Sequence, residues 1–269
     1  MRTLIIPDVH QKLDKLSRII NNNTFDRLIS LGDWFDDFYD TPEQTENTAR
    51  YIVDLYSKYG DNFIWLLGNH DIPYLYPATY DRHACSGNTR EKLKAINSVF
   101  QGSTVIGYSP KLAYRLEIEG CYDLLLSHAG ASEHHFAKPF TDELTAKDII
   151  ERCEVAERLL AMGLDDPILS AGIARGGREV VGGITWMDWR YEYEPIPTLS
   201  QIVGHTPLAT PEVLDAYRTT IAPDSDVVSI SKYILKPGTS YNINIDTHLD
   251  HYITIENNEL LIHKTAALE

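Results

Sequence analysis

Five short apolar runs in this chain each end directly in a polar cluster, and that recurrence constrains the fold more than any single residue. The run at 3–7 leads into Asp8, Val9 and His10. The run at 26–31 leads into Gly32 and Asp33, and the run at 63–67 into Gly68, Asn69, His70 and Asp71. The run at 122–127 leads into His128, Ala129 and Gly130, and the run at 200–203 into Gly204, His205, Thr206 and Pro207. Short runs of this kind read as buried strands. In α/β sheets, ligand sites gather beyond the carboxyl ends of parallel strands, so five such ends can converge on one crevice.

The stretches between the first three runs fit parallel strands joined by crossover helices. "KLDKLSRIINN" reads as a helix, and so does "PEQTENTARYIVDLYSKYG". The second has full punctuation: Thr41 as cap, Pro42 in the first turn, Gln44 completing a capping box, and Gly60 at a left-handed end. After residue 100, "STVIGY", "LAYRLEI" and "YDLLLSH" are strand-like, "DELTAKDIIERCEVAERLLAMG" is a helix, and a less regular stretch runs to about residue 198. "SQIVGH", "SKYILK", "YNINI", "HYITI" and "ELLIHK" then give a strand-rich end. With no internal repeat and no low-complexity linker, the expectation is one domain over residues 1–269, with two facing sheets and helices outside.

"LGDWFDDF" places Asp33, Asp36 and Asp37 directly behind an apolar run. Carboxylates held close together repel unless a cation sits among them. Asp8 and His10 are two apart on an extended segment, so both project to one side, suited to gripping one ion. Gly32 and Gly68 permit sharp turns where the chain leaves the sheet. A donor set of Asp, His and Asn without thiolates suits Mn²⁺, Fe²⁺ or Zn²⁺. Taken singly, Asp8, His70 or His128 also reads as a capping carboxylate or a hydrogen-bonded core histidine; the ordered set does not.

The order Asp-x-His, Gly-Asp-x-x-Asp, Gly-Asn-His-Asp, Ser-His-Ala-Gly, Gly-His-Thr-Pro resembles the calcineurin-like metallophosphoesterase superfamily. The last motif followed by "NINIDT" is most similar to its bacterial and phage branch of phosphoprotein phosphatases and symmetric dinucleoside tetraphosphatases. The resemblance implies a four-layer α/β/β/α sandwich with two facing mixed sheets. It implies two divalent metal ions, Mn²⁺ first, with Fe²⁺ or Zn²⁺ as alternatives. Metal one would take Asp8, His10 and Asp33, and metal two Asp33, Asn69, His128 and His205. The shared Asp33 would set the ions roughly 3.5–4 Å apart. A metal-bridging hydroxide would attack phosphorus directly, with His70 as general acid and Asp36 orienting its imidazole. The implied activity is that of a phosphatase acting on a phosphomonoester or pyrophosphate bond in a small-molecule, nucleotide or phosphoprotein substrate. A phosphodiesterase or nuclease, or a metal-free binding module with the same fold, stand as alternatives.

Several positions depart from that pattern. Asp36 is followed by Asp37 and Phe38, where relatives continue with Arg and Gly, so a guanidinium that would fork onto phosphate is missing. Arg175, Arg178 and Arg190 are the candidates to replace it, each of which alone also reads as a solvated arginine. Gln11 stands where relatives often have Gly, so its side chain is expected to intrude toward the metals. Pro207 stands where many phosphodiesterases carry a second histidine, which argues against that branch. His248, in "IDTHLDHY", replaces a small residue and reads as structural. Trp34 and Phe35 read as packing, whereas Tyr74, Tyr76 and Tyr80 are expected on a rim loop, free to stack on a base.

Composition bounds the setting. The formal charge of −15 opposes attraction to nucleic acid or to an anionic membrane. Cys85, Cys121 and Cys153 fit neither a disulfide framework nor a zinc ribbon. With no apolar run of about 18 residues and no signal-like start, the expected location is the cytoplasm.

Overall fold

The computed structural model describes residues 1–37, 39–102, 109–136 and 143–268, so Phe38 and the strand expected at 103–108 lie outside the described residues. Strands β1 (Arg2–Ile6), β2 (Arg27–Ser30) and β3 (Phe63–Trp65) come first in the chain, followed by β4 (Ala113–Leu116), β5 (Leu124–Ser127) and β6 (Ser200–Val203). The remainder are β7 (Glu212–Leu214), β8 (Ser225–Val227), β9 (Ile230–Ile234), β10 (Asn242–Asn244), β11 (His251–Glu256) and β12 (Glu259–Lys264). One sheet has the order β3-β2-β1-β11-β12-β9-β8 and the other β4-β5-β6-β10-β7. Both are mixed. β1, β2 and β3 run parallel in the first, β5, β6 and β10 in the second, and antiparallel partners complete each.

Alternation along the strands builds the layers. Leu4 and Ile6 face Leu16, Ile19, Ile52 and Ile96 on the helices Leu13–Asn21, Pro42–Tyr59 and Arg90–Gly102. Ile5 and Ile29 face the other way, into a core shared with Leu124, Leu126, Ile202 and Ile243 of the second sheet. Leu125 then points outward onto Ile149, Cys153 and Ala156 of the helix Ala146–Ala161. This is a four-layer α/β/β/α arrangement, and it aims the carboxyl ends of the parallel strands from both sheets at a common edge.

The helix Pro42–Tyr59 has the expected capping box at Thr41 and Gln44, with Gly60 at φ 53°. Three local features differ from the sequence reading. The helix Arg90–Gly102 carried no expectation; its start is fixed by Thr89 Oγ1 accepting from Lys92 N at 3.2 Å. β7 and β8 were not anticipated; each has three residues, too few to show a period, and β8 is exposed throughout. Nor is "YLYPATY" a rim loop: it forms helical turns, with Tyr74 fully buried and Tyr80 nearly so. Burial is tolerated at Tyr74 because its hydroxyl donates to Asp36 Oδ1 at 2.7 Å.

Candidate metal centre

The turns that leave the strands are strained or crowded in ways that specify their residues. Gly32 sits at φ 107°, and a Cβ there would lie 2.5 Å from Gly68 N. Gly68 is needed for space, not for an unusual turn: a Cβ would come 2.0 Å from Asp33 Oδ1. His10, Asp33, Asp36 and His205 all adopt positive φ, between 40° and 64°. Four non-glycine residues in that region within one cluster mark a site where backbone strain is held by surrounding structure. Asp71 supplies part of that hold, accepting from Trp34 N, Gly68 N and Trp65 Nε1 at 2.9, 3.0 and 3.2 Å.

Two donor groups result. One consists of Asp33, His128 and His205, all buried; the other of Asp8, His10 and Asp33, and within each group the donor atoms lie within 4.8 Å of one another. His128 Nδ1 donates to Leu31 O at 2.9 Å, which leaves the Nε2 lone pair facing inward. Around that Nε2 stand Asn69 Oδ1 and His205 Nδ1 at 3.1 Å and Asp33 Oδ2 at 3.2 Å. His10 is oriented in the same manner: Nδ1 donates to Asp36 O at 2.6 Å, and Nε2 lies 3.7 Å from Asp33 Oδ2 and 4.0 Å from Asp8 Oδ2. Asp33 Oδ2 is therefore common to both groups, while Asp33 Oδ1 accepts from His70 N at 2.9 Å.

Lone pairs gathered this closely repel unless a cation stands among them, and oxygen with imidazole nitrogen is a set that divalent transition ions accept. The side chains fit such ions. Without the ions, these groups shift one another strongly. Burial raises the Asp33 carboxyl, but His128, His70 and His10 outweigh it and hold the group below the usual carboxylate range. Burial lowers His128, yet Asp33 and Asp8 carry it up to about 9. Burial, then the charge of Asp246, raises Asp8, and burial with His128 and Arg175 nearby pushes His205 well down.

The family model of calcineurin-like phosphoesterases matches residues 1–209. This chain belongs to the calcineurin-like phosphoesterase family. As a calcineurin-like phosphoesterase it is a phosphoric ester hydrolase. The cold-active protein-tyrosine phosphatase of a psychrophilic Shewanella species superposes with a TM-score of 0.55 at 16% identity, over 98% of this chain and 78% of that one. A metallophosphoesterase from Sphaerobacter thermophilus matches at a TM-score of 0.48 and 16% identity, over 98% and 88% of the two chains. No curated protein sequence matches the chain.

Outside the donor groups of this phosphoesterase, His70 Nδ1 meets Asp36 Oδ2 at 3.2 Å, and the two imidazoles of His10 and His70 stand edge to face, 5.3 Å apart. Two of the three candidate arginines meet the last motif, and Arg175 is the half-buried one: Nη2 donates to Thr206 Oγ1 at 2.8 Å, and Nε lies 2.9 Å from Asp188 Oδ2 as an ion pair. Arg190 is exposed and donates to Pro207 O at 2.7 Å. Arg178 is exposed on the wall of a cavity of about 270 Å³ shared with Arg82, His83 and Trp186. Gln11 does not intrude toward the donor groups; its amide nitrogen turns to Asp40 and Thr45. Trp34 and Phe35 are buried packing, and His248 is exposed.

Sequence reasoning missed the residues behind the donor groups. Asn69 Nδ2 lies 3.6 Å from Cys85 Sγ, Asp36 is gripped by Tyr74, Asn88 and Lys92, and Asp246 is close enough to raise Asp8. The only signal for Asp246 was its place in "NINIDT" at the end of a strand; nothing marked Lys92.

Proposed function

We propose that this phosphoesterase hydrolyses a phosphomonoester or pyrophosphate bond through a binuclear centre, with Asp8, His10 and Asp33 holding one divalent ion and Asp33, Asn69, His128 and His205 the other. One observation carries the reading: a single oxygen, Asp33 Oδ2, lies 3.7 Å from His10 Nε2 and 3.2 Å from His128 Nε2, so one carboxylate serves two donor groups. Bound divalent ions supply charge neutralisation on the phosphoryl group and a water of lowered pKa.

The chain's own groups do the rest. Leu31 O and Asp36 O fix the tautomers of His128 and His10, so that Nε2 of each presents a lone pair. His70, with Nδ1 committed to Asp36, has Nε2 left to give a proton to the leaving oxygen. Without bound ions its pKa is raised: burial lowers it, but Asp33 and the hydrogen bonds to Asp36 and Cys85 outweigh burial. Arg175, placed on Thr206 beside His205, is the candidate to take phosphoryl oxygens in place of the arginine absent after Asp36. Substrates of the class are phosphorylated small molecules, nucleotides or phosphoproteins, and Mn²⁺ is the first metal to test.

Metal analysis of the purified chain followed by p-nitrophenyl phosphate and bis-p-nitrophenyl phosphate assays with Mn²⁺ tests the proposal. Two equivalents of metal with monoester turnover support it. Diester turnover alone would move the assignment to a phosphodiesterase, and a chain that binds no metal would end it.

A further inference from the structure

A lysine stands where no role was expected. Lys92 is 4% exposed, on the first turn of the helix Arg90–Gly102. Its three ammonium protons go to Asp36 Oδ1 at 2.9 Å, Asp40 Oδ1 at 2.5 Å and Gly87 O at 2.8 Å, which uses its whole donor capacity. Removing a lysine from water is costly, and a buried ion pair is weak grounds for stability because desolvation offsets the Coulomb gain. Lys92 is also too enclosed to meet substrate. What it does touch is the carboxylate that holds His70.

Asp36 receives four donors. Oδ1 takes Lys92 and Tyr74, at 2.9 and 2.7 Å, and Oδ2 takes His70 Nδ1 at 3.2 Å together with Asn88 Nδ2. Its backbone carbonyl meanwhile accepts from His10, so the residue sits against the donor cluster. A carboxylate there is drawn toward any divalent ion nearby and would compete for it as an extra ligand. Three donors from residues 74, 88 and 92 pull in the opposite sense. Gly87 makes room for the grip, since a Cβ there would lie 3.0 Å from Asp36 Cβ.

We propose that Lys92 is a positioning residue: its buried ammonium anchors the Asp36 carboxylate on His70 Nδ1 and off the metal ions, so that His70 presents Nε2 to the leaving group. The inference rests on the reading of His70 as the general acid. The geometric consequence is specific. Loss of Lys92 frees Asp36 to rotate, and His70 loses its fixed orientation while the metal ligands stay where they are.

The test is Lys92→Met in the Mn²⁺-loaded chain, assayed on p-nitrophenyl phosphate and on an alkyl phosphate. An acid matters most for the poor leaving group. The expected result is a kcat about tenfold to hundredfold lower on the alkyl ester, a change within about threefold on p-nitrophenyl phosphate, unchanged KM and metal content, and rescue by Lys92→Arg. In the metal-free chain, the protected His70 Nδ1–H resonance in a ¹H–¹⁵N imidazole spectrum should disappear in Lys92→Met and persist in Lys92→Arg. Equal losses on both esters, loss of metal, or no change in either would overturn the proposal. His70→Ala separates the two claims: if it shows the leaving-group effect and Lys92→Met does not, only the role of Lys92 fails. If His70→Ala lacks it, the acid assignment fails with it. Should Lys92→Met not fold, Lys92→Gln carries the same measurements. If neither folds, Lys92 belongs to the fold alone and the proposal is wrong.

Discussion

The two donor groups share Asp33 but are built differently. Around His128 the partners stand 3.1 to 3.2 Å from one nitrogen, and Asn69, His128 and His205 are buried. Around His10 the separations are 3.7 and 4.0 Å, and the His10 side chain is 21% exposed. The first is a closed pocket made of protein donors. The second is open on one side and has fewer of them. Closed sites hold ions by geometry; open ones leave coordination positions for water or substrate, which is where chemistry takes place. The difference predicts unequal affinity, with the His128 group retaining its ion longer and the His10 group exchanging faster.

The comparison breaks first at the shared residue. Asp33→Asn removes the charge common to both groups, so turnover should fall at least about a thousandfold and both equivalents of metal should be lost, with circular dichroism unchanged. Retention of one full equivalent would show that the groups do not depend on the same oxygen. Next, His128→Ala and His10→Ala sharpen the asymmetry. His10→Ala should keep about one equivalent, whereas His128→Ala should keep less and also lower stability by about 2–3 kcal/mol, since it leaves the acceptor Leu31 O without its buried donor. Stepwise chelation followed by metal analysis checks the same order in the unmodified chain; simultaneous release would contradict it. His70→Ala lies outside both groups and should leave metal content intact while slowing turnover by about a hundredfold or more on esters with poor leaving groups. An emptied site in that variant would make His70 a ligand.

How much of this was readable in advance follows the same divide. The clustering of these donors was legible because each motif sits at a strand end, where an apolar run stops and a charged residue has no packing reason to follow. The layers were legible because Leu4, Ile5 and Ile6 all have to be buried and a two-sided strand needs cover on both faces. Lys92 was not legible, because "REKLK" has the charge pattern of any solvated helix face, and only the tertiary approach of Asp36 and Asp40 makes it a buried ion. Tyr74 misled for the opposite reason: its polar neighbourhood in sequence suggested a rim, while its hydroxyl is satisfied inside. Sequence proximity to a motif could not separate Arg175 from Arg178 and Arg190, because side-chain direction, not spacing, sets which guanidinium meets Thr206 and Asp188.

Outside the donor groups, His263 offers a control with the smallest expected effect. It lies on β12, 9% exposed, with Nε2 2.8 Å from Thr254 Oγ1 and its ring stacked on Tyr252 at 4.8 Å and 7°. Burial, then the charge of Arg2, pushes its pKa from 6.5 down to about 4. The folded chain thus prefers neutral imidazole, so its contribution is fully present above pH 6.5 and is lost as pH falls toward 4. A displacement of that size is worth about 3 kcal/mol unscreened, and water reaching the ring reduces it to about 1–2 kcal/mol. His263→Gln should therefore flatten the urea-midpoint curve between pH 6.5 and 4 without altering metal content or turnover at neutral pH. The donor cluster titrates in both proteins alike, so only the difference between their curves reports on His263. If the curves stay parallel, acid sensitivity in this window belongs to the donor groups and not to the sheet that supports them.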